Sequence, residues 1–461
     1  MKTEALERIA SKSYTNSEIL PLLKKIGKIP PDFNGSCFLE LLNSENDDIR
    51  LLAVKNIGKL KNEEYLDIIS VIAKEDKNSM VRREAVSTIG RMRTNAAIPL
   101  LIDILHEPDP KVVLQAIRAL LIFKSDEHVS NELKKLADHP NEIIQEVIRI
   151  ELFPEKKKSK NKIPHPDSPD YLKNVVVEGD VRETLKYVPD ESIHLTFTSP
   201  PYYNARDYSI YKSYNEYLDF LTEVFREVLR ITKEGRFFIL NTSPVIIPRV
   251  GRKYSSKRYA IPFDIHSRLL EMGWEFIDDI IWLKPEGSSK NRVGGFIQHR
   301  KPLAYKPNLV TEYLMVYRKK TNKLIDWNIK QYDKDVIEES KVKESFTTSN
   351  VWEIHPSNDK IHTAVFPEEL CDNVIKLYSY KGDLVFDPFG GSGTFGKSAM
   401  KLSRYFFLTE INKEYIGRIR EKVCNISLTT NENPKILNIS EFEKTISDYN
   451  ETKRCEFRGV I

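Results

Sequence analysis

The stretch from Leu384 to Glu410 leaves this chain few folds to choose from. Leu384-Val385-Phe386 is a short apolar, strand-prone run that leads into Asp387-Pro388-Phe389-Gly390-Gly391-Ser392-Gly393-Thr394-Phe395-Gly396. An amphipathic stretch from Lys397 to Leu402 comes next, then a second apolar run, Tyr405-Phe406-Phe407-Leu408, and then Glu410. Strand, glycine-rich turn, helix and strand in this order are the arrangement of doubly wound α/β folds, where the turn brings backbone close to a cofactor. An acidic side chain about 20 positions past the glycines, at the next strand end, suits the two hydroxyls of a ribose. No lysine directly follows the glycines, so the turn is not a phosphate-gripping loop.

A second segment adds chemistry. Ile193-His194-Leu195-Thr196-Phe197 reads as a buried parallel strand, stopped abruptly at Thr198-Ser199-Pro200-Pro201-Tyr202-Tyr203. The prolines fix φ and carry no N–H, so the backbone there offers carbonyl acceptors without competing donors. The Ser199 hydroxyl can accept a further hydrogen bond, and Tyr202 offers a stacking face. A flat base with an exocyclic amine, extruded from a duplex, needs both kinds of partner.

Together the two segments resemble the DNA amino-methyltransferases that use S-adenosylmethionine. Asp387 to Thr394 matches their cofactor motif, D-P-F-x-G-S-G-T, and Thr198 to Tyr202 matches their catalytic motif, T-S-P-P-Y. The catalytic motif comes first in the chain, which is the permuted order of the β class. The resemblance runs from about Tyr171 to Asn425 through Gly179-Asp180, Gly235 to Asn241, Trp282-Leu283-Lys284-Pro285 and Glu312 to Tyr317. His362-Thr363-Ala364-Val365-Phe366-Pro367 is similar to the family's H-P-A-x-F-P element, with Thr363 in place of the usual proline.

The resemblance implies transfer of a methyl group from S-adenosylmethionine to an exocyclic amine of a flipped base in double-stranded DNA. Ser199, Pro200, Pro201 and Tyr202 are the implied catalytic residues. Asp387, Pro388, Phe389, Gly390, Gly391, Ser392, Gly393 and Thr394 are the implied cofactor turn, with Gly391 and Gly393 allowing close backbone approach. Glu410 is implied for the ribose, Asp180 for the adenine amine and Phe366 for a pocket wall. Asp180 also suits a helix cap, Phe366 plain core, and Asn241 either a polar cap or a base contact. Ser at the first catalytic position favours cytosine-N4 over adenine-N6, and RNA is a further possible substrate. Polar stretches at 286–308 and 319–350 are candidates for target recognition, with Lys290, Arg292, Gln298, Arg300 and Lys301 as candidate DNA contacts.

Residues 1–153 are a different object. Leu22, Ala53, Ala85, Ala116 and Val147 mark an internal repeat with a step of about 31 residues, the range of helical solenoids. Similar motifs surround the first three, and a second apolar helix follows each, as in Leu66 to Ile72 or Ile98 to Leu105. The repeats resemble short HEAT-like units. The arm suits DNA, a protein partner such as a cognate restriction endonuclease or other defence protein, or a purely stabilising role. A methyltransferase fold that only senses its cofactor beside a binding arm is the alternative of a different class.

The expected organisation is therefore an all-α HEAT-like solenoid at 1–153, a basic, Pro-rich linker at 154–169, an α/β Rossmann-like methyltransferase domain with a mostly parallel, doubly wound sheet at 170–427, and a polar tail at 428–461. Glu155 to Lys162 reads as a solvated basic run. Formal charge of +4 over 461 residues neither demands nor excludes nucleic acid. Cys37, Cys371, Cys424 and Cys455 lack metal spacing, and none follows a proline as a cytosine-C5 nucleophile would, so no metal site is expected. The charged N-terminus has no apolar signal core, and no run approaches the ~20 apolar residues of a membrane span, so a cytoplasmic protein is expected.

Overall fold

The computed structural model describes residues 2–15, 17–30, 33–153, 165–203, 211–247, 253, 257–285, 309–343, 345–357, 365–424 and 434–458. Glu155 to Lys162, the candidates Lys290, Arg292, Gln298, Arg300 and Lys301, and His362 and Thr363 lie outside these residues. The chain divides into two compact units, Met1–Lys162 and Ile163–Ile461.

In the first unit the five phased positions fall in five corresponding helices: Ile19–Lys25, Asp47–Leu60, Ser79–Met92, Pro110–Leu120 and Glu142–Leu152. Four of these helices begin at an Asn or Asp whose side chain accepts the backbone N–H two residues on: Asn46, Asn78, Asp109 and Asn141. Each such cap is worth about 1 kcal/mol, so the phase of the repeat is written into its helix starts. Glycine lets the helices approach: a Cβ on Gly90 would lie 2.6 Å from the Ala119 methyl. Arg50 ties neighbouring copies together through Asp47 at 2.6 Å and Asp76 at 2.7 Å.

The second unit is built on eleven described strands: β1 Val175–Glu178, β2 Ile193–Thr198, β3 Thr232–Thr242, β4 Val245–Ile247, β5 Lys257–Tyr259, β6 Trp274–Leu283, β7 Thr311–Lys319, β8 Val351–Glu353, β9 Leu384–Asp387, β10 Tyr405–Glu410 and β11 Lys435–Asn438. Nine form one sheet in the order β11-β1-β10-β9-β2-β3-β7-β6-β8, while β4 and β5 pair separately. Only β7 runs against its neighbours; the other described pairs of the large sheet are parallel. Alternation along β10 feeds both faces. Phe407 joins a core under Tyr214–Ile231 and Ile261–Met272, while Phe406 and Leu408 join another under Glu368–Tyr378 and Thr394–Lys401.

β2 and β9 are neighbours, with Leu195 opposite Val385 and Thr196 opposite Phe386. Their carboxyl ends therefore meet, although many other elements separate them in the chain. That edge, at a point where the strand order reverses, is where open α/β sheets bind ligands.

Two expectations need correction. The segment 428–461 is not a mere tail: β11 pairs in parallel with β1, and Phe442 of the following helix, Ile439–Arg458, is fully buried beside Phe407. Its polar sequence hid this because an edge strand and a one-sided helix need few apolar residues. The first half of 319–350 lies at the wrong edge for target recognition. Its short helix Ile325–Ile329 sends Asn328 Nδ2 to the Gly235 carbonyl, 2.7 Å, and just beyond it the Tyr332 hydroxyl donates to Asp383 Oδ1, 2.6 Å. Gly235 and Asp383 mark the amino ends of β3 and β9, opposite the edge at which Ser199 and Asp387 emerge. There Asp383 is buried with Arg236 and His194, and Leu384 N–H donates to His194 Nδ1.

Candidate active site

The site grows from the paired ends of β2 and β9. Thr198 Oγ1 donates to Asp387 Oδ1 at 2.6 Å, and the Phe389 N–H donates to the same oxygen at 3.0 Å. Asp387 is 1% exposed, and burial pushes its carboxyl up to about 7 against these two donors. Glu410, at the end of β10, accepts the Gly391 N–H and the Asn412 N–H, each at 2.8 Å, and burial raises its carboxyl too. Among the described residues neither carboxylate has a basic side chain in ion-pair contact.

The glycine turn hangs from β10. Gly390 N–H donates to the Thr409 carbonyl at 2.9 Å, and Thr409 Oγ1 to the Pro388 carbonyl at 2.6 Å. Gly391 adopts φ +54°, which lets its N–H turn to Glu410. Gly393 serves a different end from the one expected. At φ +79° it starts the helix Thr394–Lys401, and a Cβ there would meet Ile419 at 3.0 Å. It does not line the cavity; its lack of a side chain serves the turn and helix packing.

A cavity of about 890 Å³ opens over these strand ends. Its wall includes Ser199, Pro200, Pro201 and Tyr202 from the β2 side, and Asp387 to Ser392 with Thr394 from the β9 side. Asp180, Phe366 and Glu410 complete the residues expected from the sequence. Tyr211, Phe220 and Phe389 add aromatic walls, Phe220 and Phe389 with ring centroids 6.0 Å apart.

Asp180 faces the cavity and also caps the helix Val181–Leu185. Its Oδ1 accepts the Arg182 N–H at 2.9 Å, and Oδ2 pairs with the Arg182 guanidinium at 2.8 Å. The hydrogen bonds to Arg182 hold its carboxyl below the ordinary value. Phe366 stacks on Phe197 with centroids 4.5 Å apart. Asn241 is buried and gives its Nδ2 to the Tyr313 carbonyl at 3.3 Å, so its amide braces β3 against β7.

Tyr202 has partners that the sequence did not announce. Its hydroxyl lies 3.2 Å from Glu312 Oε2, and Glu312 is bound in turn by Lys284. The hydroxyls of Ser199 and Ser243 also meet it. Burial, with the Glu312 charge behind it, drives the phenol well above its ordinary value, so it stays protonated. Lys284 and Glu312 sit in segments legible only as strands, W-L-K-P and E-Y-L-M-V-Y; a Lys and a Glu at apolar strand ends were the available signal. Thr198 likewise read as the last strand residue, not as the partner of Asp387.

Among the described residues no group of three or more His, Cys, Asp or Glu is placed to hold a metal ion. Nor is any described helix long and apolar enough to cross a membrane.

Comparison with known proteins bears on both units. Residues 193–421 match the DNA methylase family, and residues 37–121 and 69–152 match HEAT repeats. The orphan methyltransferase M.BamHII of Bacillus amyloliquefaciens is 33% identical over 263 residues, covering 52% of this chain and 91% of that protein. The type II beta methyltransferase M.BslI of Bacillus sp. (strain NEB-606) is 29% identical over 58% of this chain, which spans only 29% of M.BslI. The same holds for M.MwoI of Methanothermobacter wolfeii, of which the chain spans 32%. Among solved structures, the DNA modification methylase TTHA0409 of Thermus thermophilus, complexed with S-adenosyl-L-methionine, is 25% identical with a TM-score of 0.47, covering 57% of this chain and 97% of that one.

Proposed function

The chain belongs to the DNA methylase family, and on that premise we propose that it is a site-specific enzyme that methylates the exocyclic N4 amine of a cytosine in double-stranded DNA, within a restriction–modification or similar defence system. Its cofactor is S-adenosylmethionine, which supplies a methyl group already activated on a sulfonium. The observation that carries the reading is the meeting of Ser199-Pro200-Pro201-Tyr202 and the turn that starts at Asp387 on one cavity. The residues suit the cofactor: two buried carboxylates without basic partners among the described residues, Asp387 and Glu410, favour a cationic, hydroxyl-bearing occupant. In this reading Glu410 holds the ribose, Asp387 and Thr394 the methionine end, and Phe366 the adenine wall.

Ser199 Oγ and the Pro200 carbonyl accept the two N–H bonds of the target amine. That aims the nitrogen lone pair and stabilises the positive charge that grows on the amine as it reacts. The network behind Ser199 prepares it. The Tyr202 hydroxyl donates to Glu312, so its oxygen is left to accept from Ser199, and the Ser199 lone pairs turn to the base. The Tyr202 ring is left to wall the base pocket. Glu312 and Lys284 are thus positioning residues.

Serine in place of Asp or Asn at position 199 supports cytosine over adenine. The test is methylation of mixed-sequence duplex DNA with labelled cofactor, followed by digestion to nucleosides and mass spectrometry. N4-methylcytosine is expected. N6-methyladenine would keep the mechanism and overturn the base; label in RNA alone would overturn the substrate.

A further inference from the structure

The repeat unit is close to neutral by residue count, but its charge is sorted. Two residues beyond each phased position stand Lys24, Lys55, Ser87, Arg118 and Arg149. All four cations are exposed. Four residues further along, one helical turn on the same face, Lys59 and Arg91 continue the stripe. Lys59 is depressed first by burial and then by the charges of Lys55 and Arg91, so these three cations crowd together. Its ammonium is held by the Ile26 carbonyl at 2.7 Å and Asn56 Oδ1 at 2.8 Å, both neutral acceptors. Among the described residues, none of Lys24, Lys55, Lys59, Arg118 and Arg149 has a carboxylate in ion-pair contact. The intervening helices carry the opposite sign outward, with Asp67, Glu75, Asp103 and Glu127.

The stripe is continuous because the phased helices stack in a constant register. Asn56 Nδ2 reaches the Leu23 carbonyl and Thr88 Oγ1 the Val54 carbonyl, both at 3.3 Å, between equivalent positions of successive copies. Gly90 against Ala119 extends the stack to the next copy. Helices packed 8–10 Å apart carry the stripe across about 30 Å over four copies, close to one turn of duplex. Crowding like charges without partners costs stability, and a polyanion with regularly spaced phosphates relieves that cost.

We propose that this face of the repeat unit is a second docking surface for the sugar-phosphate backbone of duplex DNA, independent of sequence. It extends the reading of DNA as substrate, and binding rather than turnover tests it. In the full chain, K24Q/K55Q/R118Q/R149Q should bind mixed-sequence duplex at least about tenfold more weakly, and the slope of log affinity against log salt should fall by about 3 to 4. A charge-conserving variant, K24R/K55R/R118K/R149K, should bind as the native chain does. The methylation rate at saturating DNA should be unchanged in both, since none of these residues belongs to the cavity. Native affinity and salt slope in the glutamine variant would overturn the proposal. So would equal loss in the charge-conserving variant, which would point to shape. Unchanged DNA binding with lost binding of a polyglutamate probe would assign the face to an acidic protein and overturn it too. Variant-sensitive DNA binding by a chain that transfers no methyl group would support the docking surface and sink the enzymatic reading alone.

Discussion

Asp387 sits where two demands meet. It must lie at the carboxyl end of β9 to reach the cavity, and the neighbouring strands bury it almost completely. Burial holds its carboxyl at about 7, well above the ordinary 3.8, so without cofactor the folded chain keeps a proton there that the unfolded chain has already lost. The sign follows: Asp387 lowers stability progressively as pH rises from about 4 to about 7, and no further above that. A cationic cofactor reverses the preference and expels the proton. Affinity for S-adenosylmethionine should therefore rise with pH up to about 7 and level off above, by at most about tenfold per pH unit. S-adenosylhomocysteine, which lacks the sulfonium charge, should show a shallower profile, and Asp387→Asn a flat one. Titration calorimetry on either side of neutrality measures this; parallel profiles for the two ligands would remove Asp387 from the cationic end. At Ser199 the expectation is different in kind. Ser199→Ala deletes one acceptor at the reacting amine, so kcat should fall by about a hundredfold while cofactor affinity holds. An equal loss of cofactor affinity would place Ser199 in the wrong subsite.

At the scale of elements, the site depends on pieces whose sequences advertise little. The helix Ile439–Arg458 is polar along most of its length, yet Phe442 is fully buried, stacked near Phe407 at 5.8 Å and edge-on to Tyr171 and Tyr187. It covers the face of β10 that ends in Glu410. Phe442→Ala should cost the catalytic unit about 3–5 kcal/mol, read as a lowered urea midpoint. A change below about 1 kcal/mol would mean that this helix is dispensable. The helix Ile325–Ile329 plays a similar bracing part at the amino edge, where Asn328 and Arg318 both satisfy the carbonyl of Gly235, which sits at φ +70° in an irregular stretch of β3. In the repeat unit the elements are local: an Asn or Asp cap, one helix, a turn and a second helix, each defined within about 30 residues.

At the scale of the whole chain, each unit owns a core. Residues from Ala5 to Leu152 contribute to one hydrophobic cluster, and the catalytic unit buries two others on the faces of its sheet. A fragment beginning at Ile163 should therefore fold, unfold cooperatively on heating and bind S-adenosylmethionine; aggregation without a cooperative transition would show that the first unit is required. Much of this organisation was legible in the sequence. The helix phase, the glycine turn after β9, the proline stop after β2 and the carboxylate at the end of β10 are all set by backbone conformations and burial patterns within a few residues. For that reason almost every expected cavity residue lines the cavity. Long-range packing alone decided the rest. That β9 lies beside β2, that Thr198 therefore grips Asp387, that Glu312 and Lys284 stand behind Tyr202, and that residues 435–438 close the sheet beside β1 all depend on strands remote in the chain. Strand order and register are chosen by mutual burial and ladder hydrogen bonds across the sheet. Gly393 shows the limit within a single motif: its place was readable, but whether its missing side chain faced a cofactor or Ile419 depended on a helix that arrives about two dozen residues later.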